Sequence, residues 1–372
     1  MAYKNLWNWQ QKDWPNFIYT PQKFMPLENK FLEQAGVSFG AFKHISKDER
    51  QDIIINFMSN EAMSTSKIEG EQLDRSSLQS SIKRQFGLKA PRTPNHPAEN
   101  GISEMMIDLY HHYSNPLCHE SLFKWHTMLM NGRRDITNIG KYREHEDTMQ
   151  IISGADYKRK VHFEAPPSKI IPQEMNQFIL WFNNTSPEGS NTLSPLTRAC
   201  IAHLYFESIH PFEDGNGRIG RALIEKALSQ SLKRSVIIGI SEIINQEKKT
   251  YYKELAAYSP DNHIDGWIEY FANMILKAQQ HSLEQIEFII AKGQFMLRYA
   301  NKMNSRQTKA ILRIFEAGIQ GFKGGLSAKN YMTITDAPST TTTRDLNDLV
   351  NKGILTKTGH LKATRYWLNS IN

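Results

Sequence analysis

The chain has 372 residues, 40% hydrophobic and 22% charged, with only two cysteines. At roughly 150 residues per domain this length allows two to three units, and the balance excludes a disordered chain, a collagen and a coiled-coil rod. The formal charge of +7 is uneven: residues 301–372 hold eleven Lys/Arg against four Asp/Glu, while the first 300 residues balance at 34 against 34. Any nucleic-acid argument therefore belongs to the C-terminal fifth.

No apolar run approaches the ~20 residues that cross a bilayer, so no membrane partner is expected. The start MAYKNLWNWQQKDW lacks an apolar signal core, which predicts a cytoplasmic protein. Two cysteines cannot make a disulfide framework or a cysteine zinc site. Cys118 and Cys200 are expected to be buried small hydrophobes.

In chain order, residues 1–20 carry Trp7, Trp9, Trp14 and Phe17, too much apolar area for a free tail, and read as a strap packed on the body. From Ser46 to Gly70 the pattern is helical, with Ile53, Ile54, Phe57, Met58 and Ala62 on one face. Helices are expected at 76–86, 97–114 and 117–131, with a Pro-containing connector at 87–96. The runs 149–153 and 161–165, around a polar turn at 154–160, predict a hairpin. Ser194-Pro195 opens a helix through an N-cap and first-turn proline, and the run from Leu196 to Ile209 is apolar around its circumference, as in a buried central helix. Further helices are predicted at 218–230, 241–258, 264–281 and 283–303.

The central helix leads into HPFEDGNGRIGR, residues 210–221. Gly215, Asn216 and Gly217 tolerate unusual backbone angles, so successive N–H groups can form an anion nest at the start of a helix whose dipole also favours phosphate. Arg218 and Arg221 share a helix face and can grip phosphoryl oxygens. Asp214 offers hard oxygens for Mg²⁺, and His210 can accept a proton near neutral pH. Base, carboxylate, nest and two arginines within one segment point to phosphoryl or nucleotidyl transfer. The chain has no Walker A loop and no kinase signature set.

This string resembles the signature of the Fic (Fido-domain) family, His-Pro-Phe-x-Asp/Glu-Gly-Asn-Gly-Arg-x-x-Arg, at every specified position. The resemblance implies a protein adenylyltransferase that moves AMP from ATP to a Ser, Thr or Tyr hydroxyl of a target protein or of itself. It implies His210 as the base, Asp214 as the Mg²⁺ ligand, Gly215, Asn216, Gly217 and Arg218 on the α- and β-phosphates, Arg221 on the γ-phosphate and Phe212 as the anchor of the loop. The hairpin stands where the family has a flap, so Ile151, Ile152 and Ser153 are expected to dock the target by strand addition. Tyr251 and Tyr252 resemble the pair that flanks adenine; Ser259 stands where the family often has Asn. Thr65-Ser66-Lys67-Ile68-Glu69-Gly70 resembles the family's inhibitory Ser/Thr-x-x-x-Glu-Gly/Asn. It implies that Glu69 pairs with Arg221 and keeps ATP out of line. The resemblance covers roughly residues 1–300.

Residues 305–368 read as a separate unit: a helix at 305–317, a short one at 326–331, a turn at 335–338, a helix capped by Ser339 and reaching Lys352, and strands at 353–355 and 364–368. That order looks like a winged helix-turn-helix, whose second helix of the turn enters the major groove. Thr340, Thr341, Thr342, Thr343 and Arg344 would face DNA, with Lys357, Lys362 and Arg365 on the wing; a protein-contact role fits the same pattern. The expected architecture is mainly α: an N-terminal helical extension over 1–96, a Fic core with one β-hairpin flap over 97–260, connecting helices over 261–303 and a winged helix-turn-helix over 304–372. Two further readings stand beside the adenylyltransferase: a DNA-binding regulator with a nucleotide-sensing body, and a Fic enzyme with another donor or one that removes AMP. A homodimer is left open.

Overall fold

A computed structural model describes residues 6–43, 45–91, 96–153, 160–318, 322 and 324–369, with the side chains of 151–153, 160 and 362 outside the description. The chain divides into two compact units, 1–37 with 46–280 and 38–45 with 281–372. Most of the segment expected as extension lies in one unit with the expected core, while residues 38–45 of it belong to the other.

After the strap come α1 (Pro21–Lys43), α2 (Lys47–Ile68), α3 (Arg75–Gln85), α4 (Pro97–His112) and α5 (His119–Leu129). Next are the strands β1 (Gln150–Ser153) and β2 (Lys160–Glu164), then α6 (Ile171–Asn184), α7 (Pro195–Ile209), α8 (Asn216–Leu232), α9 (Ile240–Gln246), α10 (Lys248–Tyr258) and α11 (Asp265–Tyr299). The chain ends with α12 (Ser305–Glu316), α13 (Ala328–Thr335), α14 (Ser339–Asn351), β3 (Leu355–Thr358) and β4 (Arg365–Leu368). The expected mainly α fold with one hairpin before the C-terminus is what the structure shows.

Every residue of α7 from Leu196 to Ile209 is buried, which is why its sequence lacks a polar face. Its first-turn N–H groups are satisfied from α1: the Glu28 carboxylate accepts from Leu196 N at 3.0 Å and Thr197 N at 2.8 Å. Ser194 is the N-cap and Pro195 the first-turn proline, as expected, although the Ser194 side chain makes no capping bond. α2 does begin as a capping box, with Ser46 Oγ accepting from Glu49 N at 3.3 Å. Its buried residues include Ile53, Ile55, Met58, Ala62 and Thr65; Ile54 packs half-buried against the same core, and Phe57 is half-buried. α4 and α5 approach so closely that a Cβ on Gly101 would meet Met128 O at 1.9 Å.

The strap is bound along its length. Trp9 Nε1 donates to Glu164 O at 2.7 Å, Trp14 Nε1 to Glu174 Oε2 at 2.8 Å, and Asn8 Nδ2 to Ser208 Oγ at 2.7 Å. Trp7 packs edge-on to Phe163, and Trp14 to Tyr205. One end of β2 is thereby tied to α7 through residues distant in sequence.

Several expectations are corrected. α1 and α6 were not anticipated. The helix expected over 241–258 is two, because Glu247 leaves helical angles (φ −112, ψ 24) and serves as the last cap of α9 and first of α10. The helices expected at 264–281 and 283–303 are one, since nothing at Ser282 breaks the backbone pattern. Cys200 is buried, but Cys118 is exposed at the N-cap of α5, where its N–H donates to Ser121 Oγ at 3.2 Å.

The second unit has its own apolar core, including Phe295, Ile311, Phe315, Leu326, Tyr331, Leu346, Leu349 and Leu355. α13 ends at Asp336 in the left-handed region, and Pro338 rather than Ser339 caps α14. β3 pairs antiparallel with β4, from Leu355 opposite Leu368 to Thr358 opposite Arg365. The first strand therefore lies two residues beyond its expected start. Leu326 bridges to Tyr366 through N–H···O bonds of 2.9 Å in both directions. Thr340, Thr343, Arg344 and Lys357 are exposed, whereas Thr342 is buried under the turn and donates to Ala337 O, which removes it from the expected DNA-facing set.

Candidate active site

His210 closes α7 in the left-handed conformation (φ 51, ψ 60), a strained position for a residue with a Cβ. The surroundings hold it there. Its N–H bonds Phe206 O at 3.0 Å, and Arg143, almost fully buried, donates Nε to His210 O at 2.9 Å. Arg143 also reaches Ser168 Oγ and Pro166 O, so it braces the corner from the loop after β2. Burial, aided by the Arg143 charge, brings the His210 imidazole down to about 4. It is neutral at physiological pH and free to take a proton.

The loop from Pro211 to Gly215 is stapled at its base. Asn216 Oδ1 accepts from Phe212 N at 2.9 Å, and its Nδ2 donates to Phe212 O at 2.8 Å. Phe212 is fully buried and stacks on His126 at 4.2 Å between centroids, as expected for an anchor. Because Gly140 N–H donates to His126 Nδ1 at 3.0 Å, His126 Nε2 carries the proton and donates to Asp214 O at 3.2 Å.

The nest is narrower than expected. Only Gly215 has a positive φ (83°), and α8 already begins at Asn216. The anion-facing feature is thus the first turn of a 17-residue helix with a glycine at its N-cap. The Asn216 side chain closes the loop and leaves its backbone N–H to the first turn.

Asp214 Oδ2 accepts from Arg133 Nη1 at 2.8 Å and its Oδ1 from Gly215 N. Burial opposes ionisation, but the Arg218 charge and the Arg133 bond outweigh it and hold the carboxyl below its usual range. An ionised, part-exposed carboxylate beside a phosphate-facing helix end fits Mg²⁺, which takes one or two carboxylates and completes its shell with phosphate and water oxygens. Among the described residues there is no cluster of three His, Cys, Asp or Glu side chains that could hold a metal; Asp214 is the motif residue placed to offer a carboxylate.

Both motif arginines are occupied by acids. Arg221, 1% exposed, donates Nη2 to Glu69 Oε1 at 2.7 Å and Nε to Thr65 Oγ1 at 2.7 Å. Burial works against its charge; Glu69 more than compensates and raises the guanidinium. Arg218, also buried, donates Nη1 to Glu71 Oε2 at 2.9 Å and approaches Asp214 Oδ1 at 3.4 Å. Glu69 is the C-cap of α2 and Glu71 follows Gly70, so one short turn delivers both acids. A Cβ on Gly217 would lie 2.2 Å from Glu69 Oε1.

Of the aromatic pair, Tyr251 is buried and shares its hydroxyl with His203 Nε2 at 2.7 Å. Tyr252 is the ring of the pair with exposed surface, tilted on Tyr251 at 5.1 Å. Ser259 is buried, its hydroxyl donating to Leu255 O and its carbonyl accepting from Asn8 N. In the hairpin, Ile151 faces Phe163, Ile152 faces Val161 and Ser153 faces Lys160 in backbone register, with an irregularity between Ile151 and Ile152. The turn at 154–159 and the side chains of Ile151, Ile152 and Ser153 lie outside the described residues.

Arg133, Arg143, His126 and Glu71 were not anticipated. The first three sit 67–88 residues before the backbone groups and side chains they hold, and no local pattern marks them.

Residues 116–228 match the family model described as Fic/DOC family, and residues 7–88 match a Domain of unknown function (DUF4172). The chain is 29% identical over 181 residues to a protein adenylyltransferase Fic of Drosophila melanogaster, covering 45% of this chain and 35% of that protein. It is 35% identical over 69 residues to a probable protein adenylyltransferase of Aquifex aeolicus, covering 18% of this chain and 20% of that one. The chain thus spans about a third or less of the relatives it matches. Among solved structures, a Fic family protein from Desulfovibrio desulfuricans aligns over 95% of this chain and 98% of its own with a TM-score of 0.51 and 19% identity. The Caenorhabditis elegans Fic-1 structure aligns over 73% and 75% with a TM-score of 0.52 and 17% identity. At these identities the likeness is one of fold.

Proposed function

The chain carries a Fic/DOC domain, and from that premise we propose that it is a protein adenylyltransferase that moves AMP from ATP to a Ser, Thr or Tyr hydroxyl. The observation that carries this reading is the position of His210. It stands neutral at a braced left-handed corner, directly before a helix N-terminus flanked by Arg218, Arg221 and Asp214. In the reaction, His210 takes the hydroxyl proton, the hydroxyl oxygen bonds the α-phosphorus, and the bond to the bridging oxygen breaks to release pyrophosphate. The first turn of α8 and the two arginines hold phosphoryl oxygens in line. When bound, Mg²⁺ would neutralise phosphate charge, held on the protein side by Asp214. The β1–β2 hairpin is the edge to which a target segment adds, and Tyr252 offers a ring for the base.

Glu69 acts as a brake. Its 2.7 Å pair with Arg221 fills the site a γ-phosphate needs, so ATP enters with its α-phosphate misaligned and transfer slows. Incubating Glu69→Gly protein with Mg-ATP, then weighing it and lysate proteins by mass spectrometry, tests both parts. Added AMP is expected, and labelled ATP should outcompete labelled UTP or GTP; no adduct from any nucleotide overturns the reading. A separate DNA-binding role for residues 305–372 is favoured by their six surplus positive charges and by exposed Thr340, Thr343 and Arg344 at the start of α14. A gel shift with the full chain that weakens steeply with salt is expected, and no shift at low salt rejects it.

A further inference from the structure

Glu207 lies in the last turn of α7 and is 7% exposed. Its Oε2 stands 3.7 Å from His210 Nδ1, just beyond hydrogen-bond reach. Its Oε1, His210 Nδ1 and His203 Nδ1 are buried without a well-formed hydrogen bond, although the backbone carbonyls of Glu207 and Gly220 lie near the His210 and His203 rings. Three such polar atoms clustered at one end of a helix are costly and need an explanation. Gly220 of α8 makes the room: a Cβ there would lie 2.5 Å from Glu207 Oε1 and 3.2 Å from His203 Nδ1. The charged and titratable neighbours are Arg221 on α8, Glu69 after α2, and Tyr251 and Tyr252 on α10 for Glu207. For His210 they are Arg143, Glu69 and Asp214.

We infer that Glu207 is a positioning residue for His210, its carboxylate accepting the Nδ1 proton so that Nε2 faces the target hydroxyl as the free base. This rests on the transferase reading above. The proton of the hydroxyl goes to Nε2, and the imidazolium so formed keeps its Nδ1–H on Glu207 until the site resets, which is the orienting role an acid plays behind a catalytic histidine. Catalytic hydrogen bonds that are long in an unliganded site tighten on assembly.

Burial holds the Glu207 proton on up to about 8, with Arg221 pulling down and Glu69 pushing up. The carboxylate therefore becomes populated as pH rises and the transfer rate should climb with it, through about pH 8 where Glu69 is present and lower where Glu69 is removed. The experiment uses the full chain in the Glu69→Gly background with labelled ATP, comparing that parent with the added substitutions Glu207→Gln and Glu207→Asp. Glu207→Gln should lower kcat on the order of 10–100-fold, the cost typical of losing an outer partner of a site ligand. It should leave the KM for ATP unchanged and remove the rise with pH; Glu207→Asp should restore part of that rise. Histidine ¹⁵N NMR of the same proteins reads the tautomer without activity: Nδ1–H on His210 on the alkaline side of that rise in the parent, lost in the Glu207→Gln protein. Labelling by Glu69→Gly with an unchanged profile and tautomer in Glu207→Gln overturns this inference alone. Absence of labelling overturns the transferase reading, and the NMR then decides Glu207 by itself.

Discussion

The two units treat buried polarity in opposite ways. In the first, the ground around HPFEDGNGRIGR buries Arg218, Arg221, Glu207 and His203 and leaves Ser66 Oγ, His203 Nδ1, Glu207 Oε1, His210 Nδ1 and Arg218 Nε without a well-formed hydrogen bond. In the second, among the described residues, no buried side-chain polar atom lacks one. Its buried Asp345 is fully used, accepting from Arg306 Nε at 2.9 Å, Tyr331 OH at 3.1 Å and Asn304 Nδ2 at 3.3 Å. The surplus positive charge stays outside that core. The first unit also leaves Tyr205 OH, Asn262 Oδ1 and Tyr270 OH unpaired outside the motif, so the difference lies in how completely each core pairs its buried polar groups.

Breaking the comparison from the first side should give the largest effect. His210→Ala in the Glu69→Gly background should lose ~10²–10⁴-fold in transfer with an unchanged melting curve, since the residue sits in a strained backbone position that its own side chain does not support. A rate within about threefold of the parent, far short of the loss of a general base, would remove His210 from the reaction. Next is release of the brake. Glu69→Gly should raise transfer on the order of 100-fold, the cost of misalignment, and Arg221→Ala added to it should stay slow, because the phosphate clamp goes with the anchor. Labelling with radioactive ATP ranks wild type, both single variants and the double.

From the second side, Asp345→Ala leaves Tyr331 OH and Asn304 Nδ2 short of an acceptor, at a cost of about 1–3 kcal/mol. Urea unfolding followed by probes in each unit should show the loss in residues 281–372 and an unchanged transfer rate in the Glu69→Gly background; a loss shared by both units would deny them separate cores. The smallest effect sharpens the comparison within the site. Glu71 is about a third exposed, so its pair with Arg218 is worth no more than about 1 kcal/mol. Glu71→Gln should tighten ATP binding by at most about fivefold, measured by calorimetry, where Glu69→Gly acts chiefly on rate.

What the sequence made legible follows from range. The motif, α2, the flap strands and the order of C-terminal elements are written in adjacent residues or at helical and strand spacing. α1 and α6 were missed although their buried residues repeat regularly: Phe24, Glu28, Phe31 and Ala35 in one, Ile171, Met175, Phe178 and Phe182 in the other. Pro26 and two glycines weaken α1 locally, and tertiary packing overrides that. Glu28 reads as a surface acid and proves to be the cap of α7, and Arg143 reads as one basic residue among many and proves to brace His210. Such roles depend on partners supplied from far along the chain, and Glu207 belongs with them: its spacing to His210 was visible, its burial against Gly220 was not.

The contact between Gly217 and Glu69 has a genetic consequence. A side chain at 217 would collide with Glu69 Oε1 at 2.2 Å, and so would evict the acid, but it would also stand on the first turn of α8, where phosphate would rest in the proposed reaction. A change at 69 evicts the acid and leaves that turn clear. Escape from regulation is therefore a one-sided event. Random mutagenesis followed by selection for high transfer should return changes in α2 and the turn after it, and none at Gly217.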